Sequence, residues 1–207
     1  MTSFHQLRDA LHRHGTLADE GWLAGAVAAV AADASALERL FPAVGRRCGR
    51  QPLPQVPGWG IDEAARAVLL TAITADRLAE TVEATYHDGD AAEKLAVLKA
   101  LPLLPIGDAA VPLLRDALRT NDTRLVTAAL GPYAGYLDDA AWRQAVLKCV
   151  FMAIPLSNVY GLTERADPAL AAMLDAFARE RRAAGRQVPA DALALLENAR
   201  SKMSREA

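Results

Sequence analysis

From residue 62 onward the chain is a succession of short apolar segments at helical spacing, separated by joints of turn-forming residues. Apolar side chains recur there at intervals of three and four residues, which places them on one face of an α-helix. The sequence has no convincing run of alternating apolar and polar residues, which a half-buried strand needs. The pattern predicts eight helices, near 62–74, 76–87, 90–102, 108–119, 122–134, 139–153, 168–183 and 189–202.

The N-terminal 48 residues predict further helices. An apolar stripe at helical spacing predicts one near 3–13. Ser35 and Glu38 have the spacing of a capping box, in which the side chain of each residue accepts a hydrogen bond from the backbone N–H of the other. This spacing predicts the start of another helix. Pro42 and Gly45 predict that this helix is short.

Composition agrees with a helical domain and excludes several classes of protein. The 207 residues are 52% hydrophobic and only 5% aromatic, with abundant alanine and leucine, which favours helices and a packed core over disorder. The 23 basic and 25 acidic residues give a net charge of −2, which argues against a globally basic nucleic-acid binder. Two isolated cysteines, no leader pattern and no run of about 18 apolar residues predict a cytoplasmic chain without a membrane span.

One stretch breaks the helical pattern. Residues 49–60, GRQPLPQVPGWG, hold three prolines and three glycines, and this density predicts a loop that packs Leu53, Val56 and Trp59 onto the body of the protein. We therefore predict a single all-helical domain over 1–207. Its four segments are N-terminal helices at 1–48, the loop at 49–60, helix pairs at 61–155 and C-terminal helices at 156–207.

The chain also repeats itself. The frame DAAxxxAVLK occurs at 90–99 and again at 139–148. Stacked helix pairs need the same small and large residues at recurring positions, because each pair packs on a near copy of itself. Residues 104–118 and 121–130, with Gly-Asp, Ala-Val-Pro-x-Leu-Leu and a later Ala-Ala-Leu, resemble the shorter HEAT-like repeats. This resemblance implies a right-handed stack of antiparallel helix pairs, with about ten helices in one compact domain.

A wider resemblance runs over most of residues 60–195. The phrases YHDGDAAEK at 86–94, RTNDTR at 119–124, LDDAAWRQAVLKCV at 137–150 and ERRAAGR at 180–186 are similar to the EboA-domain family. That resemblance implies a component of an ebo gene cluster, which makes or exports a secondary metabolite. The implied partners are the other proteins of the cluster or the small-molecule metabolite. The family brings no catalytic motif and no cofactor, so none is assigned.

Two groups of polar residues allow both a structural and a ligand role. His87, Asp88 and Asp90 offer nitrogen and oxygen to a divalent cation, but Asp90 is also placed to cap the next helix, and capping is the interpretation we prefer. Asn121 and Asp122 lie at a joint of the same kind, where a structural role is again preferred over ligand binding.

The candidate ligand or partner contacts come mainly from the predicted inner helices at 108–119 and 139–153. Lys148 lies in a mostly apolar helix, where a lysine must extend to water, pair with a carboxylate or shift its pKa. The complete candidate set is Trp59, Arg115, Asn121, Asp122, Tyr133, Trp142, Arg143 and Lys148.

The sequence thus favours a non-catalytic interaction or ligand-carrier protein of an ebo-type pathway. An alternative is a small-molecule-processing enzyme of the same pathway, with a pocket near Lys148, between the loop at 49–60 and the helix at 139–153. A third reading, a HEAT-like nucleic-acid enzyme, is disfavoured by the net charge. Phosphate-loop, dinucleotide-binding, zinc-protease and hydrolase motifs are absent from the sequence.

Overall fold

A computed structural model describes residues 2–17 and 21–206, and over these ranges the chain is helical without a strand. The all-α prediction is confirmed. The described residues form twelve α-helices, which are α1 Phe4–Arg13, α2 Trp22–Ala32, α3 Ala36–Arg47, α4 Ile61–Leu70, α5 Ala75–Asp88, α6 Ala91–Ala100, α7 Val111–Ala117, α8 Thr123–Ala129, α9 Asp139–Phe151, α10 Leu162–Arg165, α11 Pro168–Ala183 and α12 Ala190–Glu206. Short 3-10 turns occur at Leu101–Leu103, Pro132–Tyr136 and Leu156–Asn158.

The contacts divide the chain into two compact units, Met1–Ala117 and Leu118–Ala207. The first holds α1 to α7 and the second holds α8 to α12. None of the four predicted segments begins or ends at this boundary between Ala117 and Leu118. The HEAT-like stacking of helix pairs stays a prediction.

Helix α4 is the centre of the first unit. It contacts α1, α2, α3 and α6, and nine of its ten residues are buried. Three alanines, at 64, 65 and 67, give it a slim profile that lets neighbouring helices approach from several sides. Its two buried charged residues, Asp62 and Arg66, stand out in this apolar setting.

The proline- and glycine-rich loop packs onto this unit as expected. Leu53 and Val56 are buried, and Trp59 is half-buried. Pro52 and Gly60 form an isolated antiparallel bridge that brings the two ends of the loop together. Lys99 of α6 donates to the carbonyl of Gly58 and lies 4.6 Å from the centre of the Trp59 ring, so it fastens the loop to the body.

Two local expectations about α3 were wrong. The helix does not stop at Pro42 but runs on to Arg47. Pro42 is exposed, so water solvates the carbonyl that its missing N–H leaves free, while Phe41 and Val44 hold the buried face in place. Ser35 forms no capping box either, because its hydroxyl donates to Asp33 at 2.7 Å.

In the second unit, the predicted helix over 122–134 is divided in two. Helix α8 ends at Ala129, and a separate 3-10 turn begins at Pro132. Proline lacks the N–H that a continuous helix needs, and Gly131 precedes it. Helix α9 contacts α11, and α11 packs along α12.

The repeated frame has similar burial in both copies, although Leu98 is buried and its counterpart Leu147 is half-buried. Ala96 and Val97 are buried, as are their counterparts Ala145 and Val146, and the final lysine of each copy is half-buried. Both lysines donate to backbone carbonyls of a neighbouring loop, Lys99 to Gly58 and Lys148 to two carbonyls described below. The shared sequence therefore corresponds to a shared local packing role.

Candidate functional site

A groove of about 400 Å³ lies in the first unit between α3 and α5 and ends at the joint between α5 and α6. Its volume falls within the range of small-molecule sites. We call it the α3–α5 groove. Its lining consists of Ala34, Ser35, Leu37, Glu38, Phe41, Pro42, Arg77, Glu80, Thr81, Ala84, Thr85, Asp88, Gly89 and Glu93.

The groove has an apolar floor and polar walls. Leu37 and Phe41 belong to the buried face of α3 and form the floor. Ala84 is a small residue on the exposed side of α5, so the groove stays open above this floor. This mixture suits a small molecule with an apolar body and a few polar groups.

Below the groove lies a buried trio of charged residues, Asp62, Arg66 and Glu93. The guanidinium of Arg66 donates from Nη1 to Asp62 Oδ2 at 2.8 Å and from Nε to the Phe41 carbonyl at 3.2 Å. Its Nη2 lies 3.9 Å from Glu93 Oε1, beyond hydrogen-bond distance. The Phe41 ring also lies against the guanidinium, with 5.4 Å between the ring centre and Cζ.

Glu93 connects this trio to the groove. The capping box of α6 places it, since Glu93 Oε2 accepts from the Asp90 N–H at 3.0 Å while the Asp90 carboxylate accepts from the Glu93 N–H at 2.9 Å. Gly89 allows this close joint, because a Cβ there would lie 2.9 Å from the Thr85 carbonyl oxygen and from Glu93 Cβ. The result is a buried carboxylate in the lining of the groove.

The hydroxyl groups of the lining are all engaged within the chain. Thr81 and Thr85 donate to the carbonyls of Arg77 and Thr81, one turn earlier in α5, each at 2.7 Å. Ser35 donates to Asp33, and this hydrogen bond holds the pKa of the Asp33 carboxyl below its ordinary value. A carboxylate with a lowered pKa is a poor general base.

The predicted aromatic contacts in the second unit are buried. Trp142 is fully buried, and none of the described residues is a hydrogen-bond partner of its indole Nε1. The guanidinium of Arg165 stacks over its ring at 4.7 Å and donates to the carbonyls of Ala134 and Leu137. Tyr133 is also buried, with its ring 4.9 Å from that of Tyr136.

The predicted basic contacts take different positions. Lys148 Nζ donates to the carbonyls of Leu118 and Thr120, at 2.6 and 2.7 Å. Arg143 forms an ion pair with Asp167 at 2.5 Å. Arg115 lies exposed in the last turn of α7, in the first unit. Contact of any of them with a ligand stays a prediction.

The polar joints have clear structural roles. Asp122 caps α8 by accepting from the Arg124 N–H, and the Arg124 side chain lowers the pKa of its carboxyl. Asn121, beside it, is exposed. Asp90 caps α6 as preferred.

The weak metal candidates are not gathered around a point. His87 and Asp88 are exposed at the end of α5, while the Asp90 side chain is engaged in capping. Within 2–17 and 21–206, no group of three or more His, Cys, Asp and Glu side chains is arranged to hold a metal ion.

Sequence reasoning missed the α3–α5 groove and the trio beneath it. One signal was present: Asp62 and Arg66 are four residues apart in an otherwise apolar helix, the spacing of a helical ion pair. Glu93 was recognisable as a capping residue but not as part of a site. The wall formed by α3 had no sequence signal.

The fold is that of an all-α protein with a ligand-sized groove in its first unit. A family model described as "Metabolite traffic protein EboA" matches residues 52–197, about seven tenths of the chain. The chain therefore belongs to the EboA family, as the sequence resemblance indicated, and the family description gives it a metabolite-related role. Helix α5 and Glu93 lie inside the matched range, and α3 lies before it.

No curated protein and no solved structure matches the chain. In the described part of the chain, none of the helices has both the length and the apolar character that a membrane crossing requires.

Proposed function

We propose that this protein is a non-catalytic carrier that binds a small-molecule metabolite in the α3–α5 groove and serves an ebo-type pathway of secondary-metabolite synthesis or export. The observation that carries the proposal is the groove itself, with about 400 Å³ of space over an apolar floor. The membership of a metabolite-traffic family supplies the class of ligand.

The chemistry of the lining favours carrying over catalysis. Covalent catalysis needs a nucleophile within reach of a base. The lining residues include no histidine, cysteine or lysine, and the hydroxyls of Ser35, Thr81 and Thr85 are engaged as described. The enzyme alternative near Lys148 would require its ammonium group to leave two backbone carbonyls. Cytoplasmic location and the other cluster proteins as partners belong to the same proposal.

The test is a pair of tryptophan variants on one helix. Ala84 lines the groove, whereas Ala79 is an exposed residue of α5 outside the lining. Ala84→Trp places an indole in the groove, and Ala79→Trp adds the same side chain elsewhere on the helix. Because both alanines are exposed, we expect both variants to fold, which circular dichroism checks.

Wild-type protein and both variants are purified under native conditions from cells that carry the complete gene cluster. Native mass spectrometry then measures any small molecule that remains bound. We expect wild-type protein and Ala79→Trp to carry it and Ala84→Trp to lose it. Equal retention by Ala84→Trp, or no bound molecule on wild-type protein, contradicts the proposal. Chemical conversion of that molecule by the isolated protein contradicts the non-catalytic role.

A further inference from the structure

The lining of the α3–α5 groove carries an excess of negative charge. Four carboxylates, those of Glu38, Glu80, Asp88 and Glu93, face one guanidinium, that of Arg77. Arg77 Nε lies 3.7 Å from a Glu80 oxygen, so the positive charge is already matched by one of the four. The potential in the groove is therefore negative.

The buried trio leaves this excess unchanged. Glu93 is already one of the four lining carboxylates, and beyond it the trio adds one negative charge, on Asp62, and one positive charge, on Arg66. The short bonds of Arg66 go to Asp62 and to the Phe41 carbonyl, which leaves Glu93 Oε1 with its nearest cation at 3.9 Å. Glu93 is more than nine-tenths buried, and this oxygen makes no hydrogen bond within the described chain. Among the described residues, Trp142 Nε1 is the one fully enclosed side-chain polar atom without a partner, so Glu93 Oε1 keeps some accessible surface and can accept a hydrogen bond from a ligand.

The two helix termini at the joint between α5 and α6 also make the groove more favourable for a cation. The C-terminal end of α5, at Asp88, lies in the lining, and the last carbonyls of a helix carry partial negative charge. The positive N-terminal end of α6 is already satisfied by the carboxylates of Asp90 and Glu93. The helix ends therefore also favour a cation over an anion.

We infer that the α3–α5 groove selects an organic cation, an ammonium group on an apolar body, with the ammonium donating to Glu93 Oε1. This inference rests on the proposed function and specifies its ligand class. The apolar body lies over Leu37 and Phe41, which are already buried, and removes the exposed apolar surface of Pro42 and Ala84 from water. A carboxylate or phosphate at the same place would meet the excess of negative charge in the lining and lose its hydration.

Three probes of similar shape separate charge from shape: phenethylammonium, 2-phenylethanol and 3-phenylpropanoate. Backbone amide shifts of the full chain, measured by NMR during titration at low salt, report affinity and location. We expect phenethylammonium to bind at least about tenfold more tightly than the alcohol, since hydrogen bonds to charged groups are about twice as strong as neutral ones. We expect no measurable binding of 3-phenylpropanoate, and shifts confined to α3, α5 and the start of α6.

Charge-neutralising variants test the assignment of residues. Glu93→Gln keeps the shape and removes the charge, and we expect phenethylammonium affinity to fall about tenfold. Glu38→Gln removes an exposed charge from the lining, and we expect a loss of about two- to fivefold at low salt. Glu83→Gln is the matched control, because Glu83 is exposed on α5 outside the lining and its loss changes net charge equally.

Equal binding of all three probes, tighter binding of 3-phenylpropanoate, or no binding of any of them overturns the cation selectivity. An equal effect of Glu38→Gln and Glu83→Gln does the same, even if Glu93→Gln is too unstable to measure. The proposed function is judged separately. If probes bind without charge preference and Ala84→Trp abolishes that binding, the groove is a ligand site and only the ligand class is wrong.

Discussion

Replacement of Arg66 by methionine is the sharpest test of the packing beneath the groove. Methionine retains much of the length of the side chain but removes the guanidinium, which is 1% exposed. The ion pair to Asp62 at 2.8 Å and the bond to the Phe41 carbonyl at 3.2 Å are lost, and both carboxylates of the trio remain buried without a cation. Removal of one partner of a buried pair costs about 3–5 kcal/mol of unfolding free energy.

That loss is large beside the total stability of a domain, about 5–15 kcal/mol. With a urea slope of about 2–3 kcal/mol per M, it lowers the unfolding midpoint by about 1–2.5 M, measured by circular dichroism at 222 nm. Arg39→Met is the control, because Arg39 is exposed on α3 and its loss is expected to change stability by less than about 0.5 kcal/mol.

A double-mutant cycle identifies the cause. Asp62→Asn removes one of the uncompensated charges, so the double variant with Arg66→Met should lose less than the sum of the two single losses. We expect an interaction energy of about 1–3 kcal/mol between the two positions. A loss below about 1 kcal/mol in Arg66→Met, or strict additivity with Asp62→Asn, would refute the view that buried charge compensation holds α4 in place.

Three further predictions concern the second unit, each measured by urea unfolding. Lys148→Met removes two bonds from an ammonium group to backbone carbonyls and should cost about 1–2 kcal/mol; an unchanged midpoint would show that the amine only extends to water. Trp142→Phe should change stability by no more than about 1 kcal/mol, because loss of ring volume is offset by removal of a buried donor that has no partner among the described residues; a loss above about 3 kcal/mol contradicts this compensation. Asp122→Ala removes the cap of α8 and should cost about 1 kcal/mol at pH 7, with Asn121→Ala as a neutral control. Because Arg124 lowers the folded-state pKa of Asp122, its carboxylate stabilises the fold above the unfolded pKa, and this contribution should fade as pH falls below about 4; a difference that persists at pH 2 contradicts it.

Helix positions were predictable where a polar capping residue came directly before a run of apolar residues at helical spacing. The spacing predicted a helix over 168–183, and α11 spans those residues with Asp167 as its cap. The same local logic identified Asp90 as a capping residue and gave Asp122 a structural role, which the structure shows to be the cap of α8. It failed at Pro42, where exposure of the ring to water and packing of the opposite face let α3 continue.

The candidate site was harder to predict, because it depends on long-range packing. From the sequence alone, Lys148 could extend to water, pair with a carboxylate or have a shifted pKa. Its hydrogen bonds to the carbonyls of Leu118 and Thr120 depend on the position of a loop that is distant in the sequence. The α3–α5 groove likewise needs Phe41 and Ala84 on facing helices, although they are far apart in the sequence.

The sequence alone determined the helical class, the family, most helix ends and the absence of familiar catalytic motifs, because these depend on residue type and spacing within a few turns of chain. Tertiary structure decided which charged groups are buried and where open space remains. Glu93 looks like an ordinary capping residue in the sequence, and only the packing of α4 and α6 brings Arg66 within 3.9 Å of its carboxylate while keeping it more than nine-tenths buried. Burial and charge compensation are properties of several helices together, so no single segment encodes them.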